Sequence, residues 1–155
     1  MMDEGSVTYV EDGPIGHVVF DRPQARNAMT WKMYDELATA CRKITENSDI
    51  RAVTLRGAGG KAFIAGTDIG QFQEFTDGED GIEYEKNDEA YLDALVSVPV
   101  PVLAVIEGWT VGGGLAIAAA CDIRIATPES KFGVPIARTL GNCLSAKNLS
   151  TLVSV

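Results

Sequence analysis

At 155 residues the chain has the length of one domain, and residues 1–155 are read as a single core. With 46% hydrophobic and 23% charged residues it has the composition of a globular protein, which excludes a disordered, collagen-like or disulfide-stapled chain. A formal charge of −9 repels phosphate backbones and anionic lipid, so neither nucleic acid nor a membrane surface is an expected partner.

The start, Met1-Met2-Asp3-Glu4-Gly5, has no basic segment followed by an apolar one, so no secretory signal is expected. Ser6 to Val10 and Gly16 to Phe20 are β-prone and flank the turn residues Glu11-Asp12-Gly13-Pro14, which predicts a hairpin. Met33, Leu37, Cys41 and Ile44 then fall on one helical face, with Thr30 as the N-cap and Asn47-Ser48-Asp49 at the end. Ala52 to Leu55 reads as a buried strand, and Gly57 to Gly66 as a loop.

Glu74 to Asp93 holds nine of the 22 acidic residues and reads as a solvated loop followed by a helix. Tyr84, Tyr91, Leu92 and Leu95 give that helix an apolar side. Val102 to Ile106 is a second buried strand, Glu107 to Gly114 a loop, and a buried Gly- and Ala-rich helix begins near Gly113. Ile123 to Ala126 is a third strand. Strand, helix, strand, helix, strand implies an α/β fold with parallel βαβ crossovers and a ligand crevice at the strands' carboxyl ends. Those ends are the two glycine-rich loops.

Two uses of such loops stay open. Glycines permit tight turns and close helix–sheet packing. Two loops that open a helix can also converge N–H donors on one oxygen, as an oxyanion hole requires. Gly57-Ala58-Gly59-Gly60-Lys61 fits neither a phosphate loop of the Walker A type nor a dinucleotide fingerprint. His17 is the only histidine, which argues against a Ser-His-Asp triad or a His-based metal site. Cys41, Cys121 and Cys143 form no CxxC pair, so no metal site is expected, and reduced thiols suit a cytoplasmic location.

Four segments share one pattern, in order. They are Phe20-Asp21-Arg22-Pro23-Gln24-Ala25-Arg26-Asn27-Ala28-Met29, Lys61 to Ile69, Pro101 to Gly114, and Cys121 to Ala126 with Lys131-Phe132-Gly133-Val134-Pro135. From about Val7 to Ser145 the chain resembles the crotonase (enoyl-CoA hydratase/isomerase) superfamily. The resemblance implies a spiral of ββα turns that binds an acyl-CoA thioester, with coenzyme A as part of the substrate and no permanently bound cofactor. It implies oxyanion-hole N–H groups at Thr67 and Gly113, and a substrate site along Ala25, Arg26, Ala65, Asp68, Ile69 and Gly70. It implies a homo-oligomer, trimer or hexamer. Asp68 would organise its loop by accepting N–H bonds. Arg22, Arg26 and Lys61 would offset the acidity near coenzyme A phosphates.

The chain departs from the hydratase pattern at both proton-handling glutamates. Ala116 stands at the first, and Ile136, or Ala137 with a one-residue gap, at the second. The isomerase position, within Asn142 to Ser145, carries no carboxylate either. Efficient hydration is therefore not expected, and a non-catalytic acyl-CoA-binding or scaffold module is the alternative. Cys143 as a thiolate nucleophile, Arg138 as a carboxylate clamp, and Glu74 or Asp77 as a mobile acid are the substitutes considered. Family domains also continue past Ser145 into helices, so the resemblance implies a missing or truncated C-terminal helical region and exposed apolar surface.

Overall fold

Strand β1 (Ser6–Asp12) pairs antiparallel with β2 (Ile15–Asp21), setting Val7 opposite Phe20 and Asp12 opposite Ile15. Gly13, at φ 56°, supplies the positive φ that a two-residue hairpin loop needs at its first position. These features belong to a computed structural model that describes residues 4–74, 79, 90–135, 138 and 146–154.

Helix α1 (Trp31–Glu46) follows, and the Thr30 side chain accepts the Met33 N–H at 3.3 Å. Its buried face contains Met33, Leu37, Cys41 and Ile44, the residues of the predicted stripe, together with Tyr34 and Ala40. Burial pushes the Cys41 thiol up to about 11 and the Cys121 thiol up to about 12, so both act as small apolar side chains.

Strands β3 (Ala52–Gly57), β5 (Val102–Ile106) and β7 (Ile123–Ala126) extend the hairpin in parallel, giving the order β1-β2-β3-β5-β7. His17 lies beside Thr54 in that sheet, and its Nδ1 meets Thr54 Oγ1 at 2.8 Å, a structural use of the ring. The predicted loops are not wholly loop. Each holds a three-residue strand, β4 (Ala62–Ile64) and β6 (Trp109–Val111), and these pair in parallel with β8 (Lys131–Gly133) as a second sheet. Three residues are too few to show a period, and their hydrogen bonds go to one another rather than to sequence neighbours.

Each of the turns β3–β4, β5–β6 and β7–β8 thus gives one strand to each sheet, which is the spiral the resemblance implied. Phe20 and Phe63 meet edge to face at 5.7 Å between the sheets. A second helix, Gly113–Ala120, starts where expected and buries Gly114, Ala116, Ile117, Ala118 and Ala119. The Arg124 guanidinium closes its end by donating to the Ala118, Ala119 and Cys121 carbonyls. Ile123 and Ile125 on β7 and Phe132 on β8 are exposed.

Residues 90–96 are helical, as read for the end of the acidic segment, and Leu95 is buried there. Tyr91 packs against the core with Leu92, whereas Tyr84 lies outside the described residues. Among the described residues no helix is long and apolar enough to cross a membrane.

Candidate active site

The candidate oxyanion residues Thr67 and Gly113 lie past the carboxyl ends of β4 and β6, the short strands that run within the two glycine-rich loops. Strands β4 and β6 are adjacent and parallel, with Ile64 opposite Thr110, so the segments leaving them run side by side. Ala65 to Asp68 is pinned to the Arg26–Met29 segment. The Ala65 N–H donates to the Arg26 carbonyl at 3.1 Å. Met29 donates to the Gly66 carbonyl, and Asp68 to the Met29 carbonyl, each at 2.8 Å. In that parallel pairing of Met29 with Thr67 the flanking groups face Met29, so Thr67's own N–H faces the opposite way.

Gly113 lies close to Thr67. The Thr67 nitrogen is 4.0 Å from the point where a Cβ on Gly113 would stand. Gly112, the helix N-cap, has φ 54° and ψ −126°, a conformation open to glycine, and it offers no side chain to cover the first helical turn. Its N–H donates to the Gly133 carbonyl at 3.0 Å, which ties the helix start to β8. Gly114 lets the helix rest on β4, because a Cβ there would fall on the Ile64 carbonyl. Leu115 and Ala116 donate to the Gly112 carbonyl, so Gly113, the first residue of the helix, is the position beside Thr67 whose N–H could help hold an oxygen that gains negative charge.

One residue of the site escaped the sequence reading. The Tyr34 hydroxyl meets Thr67 Oγ1 at 2.8 Å and lies 2.8 Å from the Cβ position of Gly113. It stands beside the Met33, Leu37, Cys41 and Ile44 stripe in the sequence and is not part of that pattern.

Asp68 accepts from the Gly70 N–H at 2.9 Å and from Arg22 Nη1 at 2.7 Å. Burial alone would raise its carboxyl, but the Arg22 hydrogen bond, the Gly70 N–H and the Arg22 charge together hold it below the ordinary Asp value. Arg22 is therefore not a phosphate ligand. Its side chain is buried and joined to Asp68, and it donates also to the Ala28 carbonyl at 3.1 Å. Because the folded pKa of Asp68 is depressed, its contribution is present above the unfolded value and lost as pH falls through the folded one. Urea melts should show a stability loss from pH 3.8 downward that Asp68→Asn makes shallower. Equal slopes in both proteins would refute this.

Ala25 and Ala65 are half-buried, and Ile69 and Gly70 are exposed in the 3-10 stretch Ile69–Glu74. Arg26 is exposed at φ 53°, with its guanidinium 5.7 Å from the Trp109 ring centre, and Lys131 lies over the same ring at 4.8 Å. Lys61 is exposed, and its carbonyl accepts the Trp109 N–H. Arg138 is exposed, with its N–H on the Pro135 carbonyl at 2.9 Å. Ala116 is buried in the Gly113 helix. Ile136, Ala137, Asn142, Cys143, Ser145 and Asp77 lie outside the described residues, and of Glu74 only the backbone is described. Among the described residues no group of three His, Cys, Asp or Glu could hold a metal ion.

The family model described as "Enoyl-CoA hydratase/isomerase" matches residues 11–146. The short-chain-enoyl-CoA hydratase of Clostridium acetobutylicum is 34% identical over 134 residues, covering 86% of this chain and 51% of that protein. A crystal structure of an enoyl-CoA hydratase/carnithine racemase from Magnetospirillum magneticum superposes with a TM-score of 0.92 at 36% identity, covering 100% of this chain and 57% of the other. An enoyl-CoA hydratase from Bacillus anthracis gives a TM-score of 0.84 at 28% identity, covering 99% and 59%. The chain spans about half the length of the curated relatives it matches.

Proposed function

This chain belongs to the enoyl-CoA hydratase/isomerase family, and from that premise we propose that it binds an acyl-CoA thioester and stabilises the thioester's enolate between the N–H groups of Thr67 and Gly113. The observation that supports the reading is the approach of the Thr67 nitrogen to Gly113 across the β4–β6 pair. A thioester carbonyl oxygen placed there would accept both N–H groups, and those bonds strengthen as charge moves onto the oxygen. Coenzyme A enters as part of the substrate, along Ala25, Arg26, Ala65 and the Asp68–Gly70 turn. Arg26 and Lys61, both exposed, are the cations left to meet its phosphates once Arg22 is committed to Asp68.

Water addition is not the reaction this site suits. Ala116, buried in the helix behind Gly113, offers a methyl group where a hydratase of the family carries a carboxylate. Ile136, or Ala137 with a one-residue gap, repeats the loss at the second position. A positioned acid or base contributes about 10²–10⁴ in rate. The same burial of Ala116 favours a second reading, an acyl-CoA-binding module without turnover. A homo-oligomer belongs to the proposal as well, since Ile123, Ile125 and Phe132 are apolar surface that assembly would bury.

Calorimetric titration with acetoacetyl-CoA, an enolate-forming thioester, tests the reading. We expect saturable binding, tighter than that of free coenzyme A, and crotonyl-CoA hydration at least about 10²-fold below that of a glutamate-bearing hydratase. Absence of binding by the folded chain would overturn the thioester site. Efficient hydration would overturn the argument from Ala116.

A further inference from the structure

We propose that Tyr34 is a positioning residue of the thioester site, acting through the Thr67 hydroxyl. The inference rests on the enolate-stabilising reading above.

Tyr34 projects from the buried face of α1 and is 2% exposed. Its ring lies nearly parallel to Tyr91 on one contact, at 5.2 Å between centres, and to Trp31 on another, at 6.3 Å. Trp31 is held in turn by the edge of Phe72 at 5.7 Å, and Tyr91 by its own hydroxyl on Asp35 Oδ1 at 2.8 Å. Stacking on two flanking rings fixes the plane of the phenol and therefore the direction of its C–O bond. Packing alone would be served by phenylalanine, because burying a hydroxyl disfavours folding unless it finds a partner.

That partner is at the site. The Tyr34 oxygen meets Thr67 Oγ1 at 2.8 Å, and either oxygen can donate. The same oxygen occupies the space that the missing side chain of Gly113 leaves open. One phenol therefore touches both residues whose N–H groups the thioester oxygen would meet. Threonine is stiff at χ1, so the hydrogen bond to Oγ1 selects its rotamer and steadies the peptide that presents the Thr67 N–H. A Thr67 N–H held in place bonds an anionic oxygen more strongly than a neutral carbonyl. Removal of the Tyr34 hydroxyl should therefore be felt by enolate-forming ligands and hardly by saturated ones.

The test compares Tyr34→Phe, Thr67→Val and the double variant, each with acetoacetyl-CoA and with butyryl-CoA, a saturated thioester. Phenylalanine keeps the ring stack, and valine keeps the shape of threonine. Tyr34→Phe should weaken acetoacetyl-CoA about 5- to 10-fold, the usual range for one neutral hydrogen bond, and butyryl-CoA under about twofold. The absorbance titration of bound acetoacetyl-CoA should show its enolate forming at higher pH in Tyr34→Phe. Adding Tyr34→Phe to Thr67→Val should change nothing further. Equal weakening of both ligands, unchanged binding, or fully additive losses in the double variant would overturn the inference. A wild-type protein that binds neither thioester would instead overturn the proposed function, and this inference with it.

Discussion

Replacing Asn27 with alanine should lower stability by about 3–6 kcal/mol, the largest loss expected from any single side chain outside the apolar core. Asn27 is fully buried. Its Oδ1 accepts the Arg22 N–H at 2.9 Å, and its Nδ2 donates to the Ala58 and Ala62 carbonyls at 3.0 and 2.9 Å. One amide thereby joins the chain leaving β2 to the exit of β3 and the start of β4. Alanine would leave one donor and two acceptors unmet, each at about 1–2 kcal/mol, within the usual range for an unmet buried group. It would also sit at φ 57°, which asparagine tolerates and alanine does not. At about 2–4 °C per kcal/mol for a chain of this size, thermal unfolding followed by circular dichroism should move down by about 6–24 °C. Asn27→Asp should do no better, because it keeps the acceptor and turns a carboxylate toward two carbonyls. A fall under about 3 °C for either variant would refute the account.

The largest functional effect should come from Gly113→Pro. Gly113 is the first residue of its helix, a position whose φ proline matches and where no intrahelical bond is lost. Proline removes the N–H aimed at the proposed thioester oxygen. It also adds a Cβ that would press on the Tyr34 hydroxyl. Gly113→Ala adds the same Cβ and keeps the N–H, so the difference between the two variants isolates the donor. Loss of one oxyanion donor typically lowers turnover by about 10²–10³. Acetoacetyl-CoA binding in Gly113→Pro should fall far below that in Gly113→Ala, with both helical contents intact. Equal binding by the two variants would remove Gly113 from the oxyanion hole. A module without chemistry would lose only ligand affinity.

Local signals carried the elements that sequence could reveal. The hairpin, the Thr30 cap, the stripe on α1 and the start at Gly113 depend on neighbours within a few residues, so their patterns are written along the chain. Strands β4, β6 and β8 are three residues each, and their ladder partners lie in other turns of the spiral. No period can mark them. Thr67 came to notice only through the resemblance, since nothing in its neighbours tells that its N–H faces away from Met29. Arg22 read as one of three cations set against coenzyme A phosphates, because counting charges does not show that Asp68 stands 2.7 Å away. The sequence does not single out Tyr34, and its ring is buried in the core. What the helical register could not tell is that its oxygen reaches a residue 33 positions on in the chain.

Thr67 belongs to the β3–β4 turn of the spiral and Gly113 to the β5–β6 turn. On the proposed function an oxygen held by both would be bonded to two layers at once, and neither layer would carry more than half of the site. On that proposal occupancy and stacking would be linked quantities: a thioester would act as a rivet through adjacent coils. At one hundred times its dissociation constant, a ligand that needs both layers adds about 2.7 kcal/mol against their separation. The protein should thus be held together most firmly, between its first two spiral turns, at the place where it is occupied.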